Sequence, residues 1–159
     1  MTEPGNLPAN WTAGGVFTAA AENAVETAIN WLLGVFNGAT TGQTLTNPTI
    51  AGYTEAVTAV GTVTTSSTLS VSSGTLLTAT LTASTACTFT MPTPTAGKSF
   101  TLLLKQPAST GNGTATFAGV KWPGGVAPTI TPTAGEMDIL SFCSDGTDWF
   151  GSYAQGYTY

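Results

Sequence analysis

The sequence offers few residues from which catalysis could start. Its 159 residues include no histidine, eight carboxylates and three basic residues, all lysine, for a formal charge of −5. Without an imidazole, a Ser-His-Asp triad or a Cys-His pair is impossible, and general acid–base chemistry loses the group it uses most. Glu136 and Asp138 project to one face of a strand and come nearest to a glycosidase pair. That chemistry needs a second acid apposed across a cleft, so the two read more simply as a solvated strand edge. Asp145-Gly146-Thr147-Asp148 holds part of the oxygen set of a calcium loop. Ca²⁺ takes about six to eight oxygens, and a hairpin turn accounts for the same residues with fewer assumptions. Gly111-Asn112-Gly113 and Gly124-Gly125 lack the Lys-Ser/Thr of a phosphate loop. Cys87 and Cys143 are too few for a disulfide framework and lie in alternating apolar runs, where reduced, buried thiols are expected. The expectation is a protein without enzymatic activity, cofactor or metal.

What remains is apolar and aromatic, and it has to be positioned by elements. Apolar residues make up 42% of the chain and charged residues only 7%, so a core can form. Thirty-three threonines, 21 alanines and 19 glycines favour strands and turns over helices. Lys98, Lys105 and Lys121 all fall in the last two fifths, leaving Glu3, Glu22, Glu26 and Glu55 without counter-charge. Nucleic acid is excluded as a partner, because its affinity depends on Lys and Arg displacing counterions. Membrane insertion is not expected either. The longest apolar run, Trp31 to Phe36, is far shorter than the roughly 20 residues that span a bilayer. No basic region precedes a hydrophobic stretch at the N-terminus, and synthesis in a cytoplasm is expected.

Four zones follow. Residues 1–17 contain prolines and glycines that prevent a regular element, yet carry Leu7, Trp11, Val16 and Phe17; they are expected to form an extended docking arm. Residues 18–38 read as one helix, with Thr18 as N-cap, Glu22 in the first turn and Asn37-Gly38 as the stop. Val25, Ile29, Trp31, Leu32 and Phe36 make it apolar on most of its circumference, which fits either packing on its own domain or packing around a symmetry axis. Residues 39–56 are a linker. Residues 57–159 form a β-rich domain with candidate strands Val57–Val63, Thr75–Ala83, Cys87–Met91, Lys98–Lys105, Thr114–Val120, Met137–Phe142 and Thr147–Tyr153. Ser144-Asp145-Gly146-Thr147 is a hairpin signal between the last two. The fold expected is mainly β: arm and short helix, then an antiparallel sandwich or barrel. Threonines should cover its outer face, and its uncharged strand edges argue for an oligomer that covers them.

Several segments carry a family likeness. Asn47-Pro48-Thr49-Ile50-Ala51-Gly52-Tyr53-Thr54-Glu55, Cys87-Thr88-Phe89-Thr90-Met91-Pro92, Ala96-Gly97-Lys98-Ser99-Phe100-Thr101-Leu102, Val120-Lys121-Trp122-Pro123-Gly124-Gly125-Val126-Ala127-Pro128-Thr129 and Phe142-Cys143-Ser144-Asp145-Gly146-Thr147-Asp148-Trp149-Phe150-Gly151, in this order, resemble the β-rich terminal domain of tailed-bacteriophage fibre and appendage proteins. Trp11-Thr12-Ala13-Gly14-Gly15-Val16-Phe17-Thr18-Ala19-Ala20 with Asn23 is similar to the attachment stretch of phage tail fibres. The resemblance implies a non-enzymatic, homotrimeric virion component on the particle surface, assembled in the bacterial cytoplasm. The chain departs from longer fibres in having no shaft, collagen-like repeat or long coiled coil.

Two functions are expected on this basis. In the first, Leu7, Trp11, Val16 and Phe17, with the helix residues, dock the trimer on the major capsid protein or another virion protein as a head fibre or decoration. The second is a tail-fibre tip or minor tail protein that binds a host-surface glycan through Trp122, Trp149, Tyr157 and Tyr159, residues that also suit core closure or a subunit seam.

Overall fold

The computed structural model describes residues 23–30 and 51–159. The chain divides into two units, Met1–Ala51 and Gly52–Tyr159. In the first, residues 23–30 are helical, as expected from the alanine-rich stretch with its acidic first turn. The Thr27 hydroxyl donates to Asn23 O at 2.7 Å, one turn back. The arm of residues 1–17, most of the linker and the rest of the expected helix lie outside the described residues.

The second unit is β throughout. Its strands are β1 (Val57–Val63), β2 (Ser66–Thr68), β3 (Leu76–Leu81), β4 (Ala86–Thr90), β5 (Ser99–Lys105), β6 (Thr114–Ala118), β7 (Val120–Lys121), β8 (Glu136–Ser144) and β9 (Trp149–Thr158). The sequence reading located all of these except two: the three-residue β2, too short to show a period, and the two-residue β7, whose Val120 it joined to β6. Their pairing departs from the antiparallel sandwich or barrel expected. One sheet runs β1-β3-β5-β8-β9-β7 and the other β2-β4-β6. The pairs β1/β3, β3/β5, β2/β4 and β4/β6 are all parallel; only β5/β8 and β8/β9 are antiparallel. Consecutive strands alternate between the sheets, so β1–β2, β3–β4 and β5–β6 form three stacked coils of a solenoid, and the β8–β9 hairpin extends the larger sheet beyond them.

The reason lies at the corners. A parallel pair needs a crossover, and here each crossover is a strand of the opposite sheet. Between β3 and β4 the chain has only residues 82–85, a length that reads as a hairpin but serves as an arch from one sheet to the other. Ser84 adopts a positive φ of 51° there and Asn112 one of 63° at the next corner, a left-handed conformation that Asn accepts more readily than most residues. The corners stack through backbone bonds: Ser84 N donates to Gly111 O at 3.1 Å, Thr114 N to Thr85 O at 2.9 Å and Thr88 N to Thr65 O at 2.8 Å. Gly113 is needed at the third corner, since a Cβ would lie 2.7 Å from Thr82 O and 2.8 Å from Leu81 Cβ.

The space between the sheets is filled from both sides. Leu77, Ala79, Leu81, Phe100, Leu102, Leu104, Leu140 and Phe142 face inward from the larger sheet, and Cys87, Phe89 and Phe117 from the smaller. Phe89 stacks on Phe117 at 5.1 Å and Phe100 on Phe142 at 4.8 Å, each along its own sheet, and Phe117 meets Phe142 across the gap at 5.6 Å. As expected, hydroxyls cover the outside: Ser66, Thr88 and Thr116 are aligned on the smaller sheet, with Thr116 Oγ1 donating to Thr88 Oγ1 at 3.3 Å. Three of the four edge strands are short or bulged. β2 has three residues and β7 two, and β1 shifts register between Ala59 and Gly61, where Gly61 has a φ of 85°. Short and bulged edges resist edge-to-edge pairing; β6, the other edge of the smaller sheet, has five residues and no register shift.

Candidate functional site

The aromatic residues expected to meet a receptor separate into two groups. Trp149 is 2% exposed. Its Nε1–H donates to Pro92 O at 2.7 Å, and its ring meets Phe100 edge-on at 5.1 Å. It is therefore a core residue and presents no face to a ligand, which corrects the reading of it as a receptor contact. The alternation of β9 is the cause: Trp149 and Gly151 point in, Phe150 points out. Trp122 is half-buried, with its ring in edge contact with Phe117, Phe142 and Tyr153. Its seat depends on Gly151, where a Cβ would stand 2.5 Å from Trp122 Cζ3. The alternative reading of Trp122 as core closure thus describes most of its surface.

Tyr157 and Tyr159 are exposed, but their positions rest on a buried carboxylate. Asp138 is 1% exposed, which overturns the solvated-edge reading for Asp138, whereas Glu136 is half-buried. Its Oδ1 accepts from Thr131 Oγ1 at 2.6 Å and Gly156 N at 3.1 Å, and its Oδ2 from Thr131 N at 2.8 Å and Gln155 Nε2 at 3.2 Å. Gln155 and Gly156 lie opposite Asp138 where the β8/β9 register shifts, so the carboxylate fills a β-bulge. The extra residue turns Tyr157 to the outer side, beside Met137. Tyr159 then reaches back: its hydroxyl donates to Gln106 O at 2.5 Å and Lys105 Nζ sits 4.5 Å from its ring centroid. Buried Gln106 in turn donates to Gly113 O and Thr131 O, both at 2.8 Å. These groups are committed to holding the loops together.

The other residues singled out by sequence fall as follows. In the described part of the helix Val25 is half-buried and Ile29 is 51% exposed. Leu7, Trp11, Val16, Phe17, Trp31, Leu32 and Phe36 lie outside the described residues. Asp145 occupies the tip of the expected hairpin, where its Oδ1 accepts from Thr147 N at 2.8 Å and Asp148 N at 2.9 Å. The Asp148 N–H first, and then that of Thr147, hold its carboxyl below the usual value. Among the described residues no group of three or more His, Cys, Asp and Glu is placed to hold a metal, and no helix is long and apolar enough to cross a membrane. Both cysteines are free; Cys87 is buried, its thiol donating to Val63 O at 3.1 Å, whereas Cys143 is exposed. The burial expected for both fails at Cys143 because Phe142 and Ser144 take the inward positions of β8.

Cys143 belongs to a feature that sequence reasoning missed. On the outer face of the larger sheet, Thr101, Ser141 and Ser152 are in register, and one step along Ser99, Cys143 and Phe150 form a second row. These short side chains leave a hollow of about 410 Å³, bordered by Phe150, Thr75 and Glu55. Next to it stands a ridge made by Leu103 and its partner Ile139. No local signal marks the hollow, because its residues come from three strands, β5, β8 and β9, and from the segments before β1 and β3. Compared with known proteins, the chain matches no family model, no curated protein and no solved structure.

Proposed function

We propose that the chain is a non-enzymatic structural protein of a tailed-bacteriophage particle, a homotrimer attached through residues 1–38 with its β-solenoid projecting, and that it decorates the capsid. The observation that carries this reading is the division of the chain after Ala51, which sets a segment rich in large apolar residues apart from a β unit whose own core is already filled. The ordered run of fibre-like segments supports the phage assignment. Support for self-association comes from the outer face of the larger sheet, where the Leu103–Ile139 ridge and exposed Val57, paired with Leu76, give apolar surface with little charge. The tail-tip alternative keeps Tyr157 and Tyr159 as surface aromatics but loses Trp149 to the core.

Removal of residues 1–17 tests the proposal. The shortened chain should remain a soluble trimer and fail to join particles produced without the full-length protein. Particles that incorporate it normally would sink the docking role. Labelling the C-terminus on intact particles and imaging them separates capsid decoration from a tail position.

A further inference from the structure

We infer that Asn112-Gly113 is a latent self-modification site: a deamidation-prone pair that the buried Gln106 side chain keeps silent, so that opening of this corner becomes a permanent covalent change. The inference does not depend on the particle role or on the oligomeric state.

An asparagine followed by glycine carries both halves of a reaction. The Gly113 nitrogen, on losing its proton to water, can attack Asn112 Cγ. The new C–N bond closes a five-membered succinimide, and the side-chain nitrogen leaves as ammonia. Water then opens the ring at either carbonyl to give aspartate or isoaspartate. Nothing is oxidised or reduced, and water is the only co-reactant. Glycine obstructs the closure least, because it has no side chain and its backbone turns freely.

The fold separates the two halves. Asn112 is exposed, and its carboxamide makes no hydrogen bond to another described residue, so the electrophile is open to water. Gly113 is buried. Its N–H donates to Gln106 Oε1 at 3.1 Å and its C=O accepts from Gln106 Nε2 at 2.8 Å, so one side chain grips the glycine as a neighbouring strand would. Gln106 is itself held at every polar atom. Its Nε2 also donates to Thr131 O at 2.8 Å, its backbone N–H donates to Glu136 O at 2.9 Å, and its backbone O accepts from the Tyr159 hydroxyl. The Asn112 N–H is tied to Pro132 O at 2.8 Å. With its hydrogen engaged in the interior, the Gly113 nitrogen can neither lose that proton to water nor swing toward Asn112 Cγ. The left-handed corner by itself accounts for an asparagine at this φ of 63°; the grip of Gln106 is what keeps the choice harmless.

A chain modified while this corner is open cannot close it again. Both products add a negative charge, and isoaspartate also lengthens the main chain by one carbon. The corner has no slack for it. A single added atom at Gly113 would lie 2.7 Å from Thr82 O and 2.8 Å from Leu81 Cβ, and one at Gly111 would run into Pro132 O.

The test is peptide mapping by mass spectrometry of the full chain after incubation in mildly alkaline buffer, folded and in urea. Trypsin cutting after Lys105 and Lys121 releases residues 106–121, in which Asn112 is the one asparagine, so the signal is separate from that of Asn37-Gly38. In urea this peptide should take on the mass of an amide-to-acid change and elute as aspartate and isoaspartate forms. In the folded protein the conversion has to wait for local opening and should run at least about a hundredfold more slowly. Gln106→Ala that keeps the wild-type circular dichroism should convert about tenfold faster than the folded wild type or more, whereas Tyr53→Ala, an exposed side chain outside the corner, should not. Equal rates in folded and unfolded protein, no conversion in urea, or a folded Gln106→Ala as slow as wild type would each overturn the inference. If Gln106→Ala does not fold, hydrogen exchange of the Gly113 amide in the wild type decides: protection like that of the β5 amides supports the grip, and exchange at the unprotected rate refutes it. Chains converted in urea and returned to buffer should melt below unmodified chains taken through the same steps; equal melting would refute the permanent loss of the corner. Because every readout uses isolated protein, its failure is distinct from a failure of particle attachment.

Discussion

Asp138 shows how much one side chain can organise. Four donors converge on a carboxylate that has no cation beside it: Thr131 N, Thr131 Oγ1, Gln155 Nε2 and Gly156 N. Asp138→Ala leaves the backbone N–H groups of Thr131 and Gly156 without acceptors. Because Thr131 is half-buried and Gly156 exposed, water can reach the freed groups, and the expected loss is about 1–3 kcal/mol in all, read as a lower urea midpoint, together with loss of order around Tyr157. An unchanged midpoint would contradict the clamp. Asp145 makes an exposed counterpart. Its folded pKa is depressed, so its stabilising contribution is present above the ordinary value of 3.8 and is lost as pH falls through the folded value. Asp145→Asn keeps the Oδ1 acceptor and removes the charge; melting followed from neutral pH down to acid should show a smaller acid-induced drop in the variant. An equal drop would mean that Asp145 is not one of the groups responsible.

At the scale of elements, β5 joins the solenoid coils to the β8–β9 hairpin. β5 pairs with β3 in parallel on one side and with β8 antiparallel on the other, and its Leu102 is fully buried. Leu102→Ala should cost about 2–5 kcal/mol in chemical denaturation. The solvent-side variant Thr101→Val should stay near neutral because it fills no core position. A small loss at Leu102 would show that the sheets can close over the gap. At β9 the constraint is the reverse: Gly151→Ala forces a methyl into the Trp122 ring and should cost about 1–3 kcal/mol by overpacking, accompanied by a change in tryptophan fluorescence as Trp122 moves.

For the whole molecule, the absence of charge governs association. Charged residues are 7% of the chain, and the described residues contain one ion pair, Lys121–Asp148, on the surface. An exposed pair contributes little. Attachment through apolar side chains should therefore depend only weakly on ionic strength, and release of the protein from particles at moderate salt would contradict apolar docking. Light scattering at micromolar concentration should report a trimer; a monomer would overturn the oligomeric proposal. With β1, β2 and β7 protected by bulging or shortness, β6 is the edge strand left open to strand addition.

Most strand positions, the turn that ends β8 and the exclusion of histidine-based catalysis can be read directly from the residues. These are local properties. Alternation at Phe100, Leu102 and Leu104, the Asp145-Gly146 turn and the lack of histidine need no knowledge of the rest of the chain. Which strand pairs with which, and in which direction, depends on contacts between segments far apart in the chain. Residues 82–85 have the length of a hairpin loop, and nothing local distinguishes a chain that folds back beside itself from one that arches to an opposite sheet. Successive coils also differ in length, as the pairs Val57–Leu76 and Leu76–Thr101 show, so no sequence repeat announces the solenoid. The same dependence on distant partners explains the burial of Asp138 and Trp149, the exposure of Cys143 and the hollow beside it. Alternation says that neighbouring side chains point to opposite faces, but which face is covered depends on strands far along the chain.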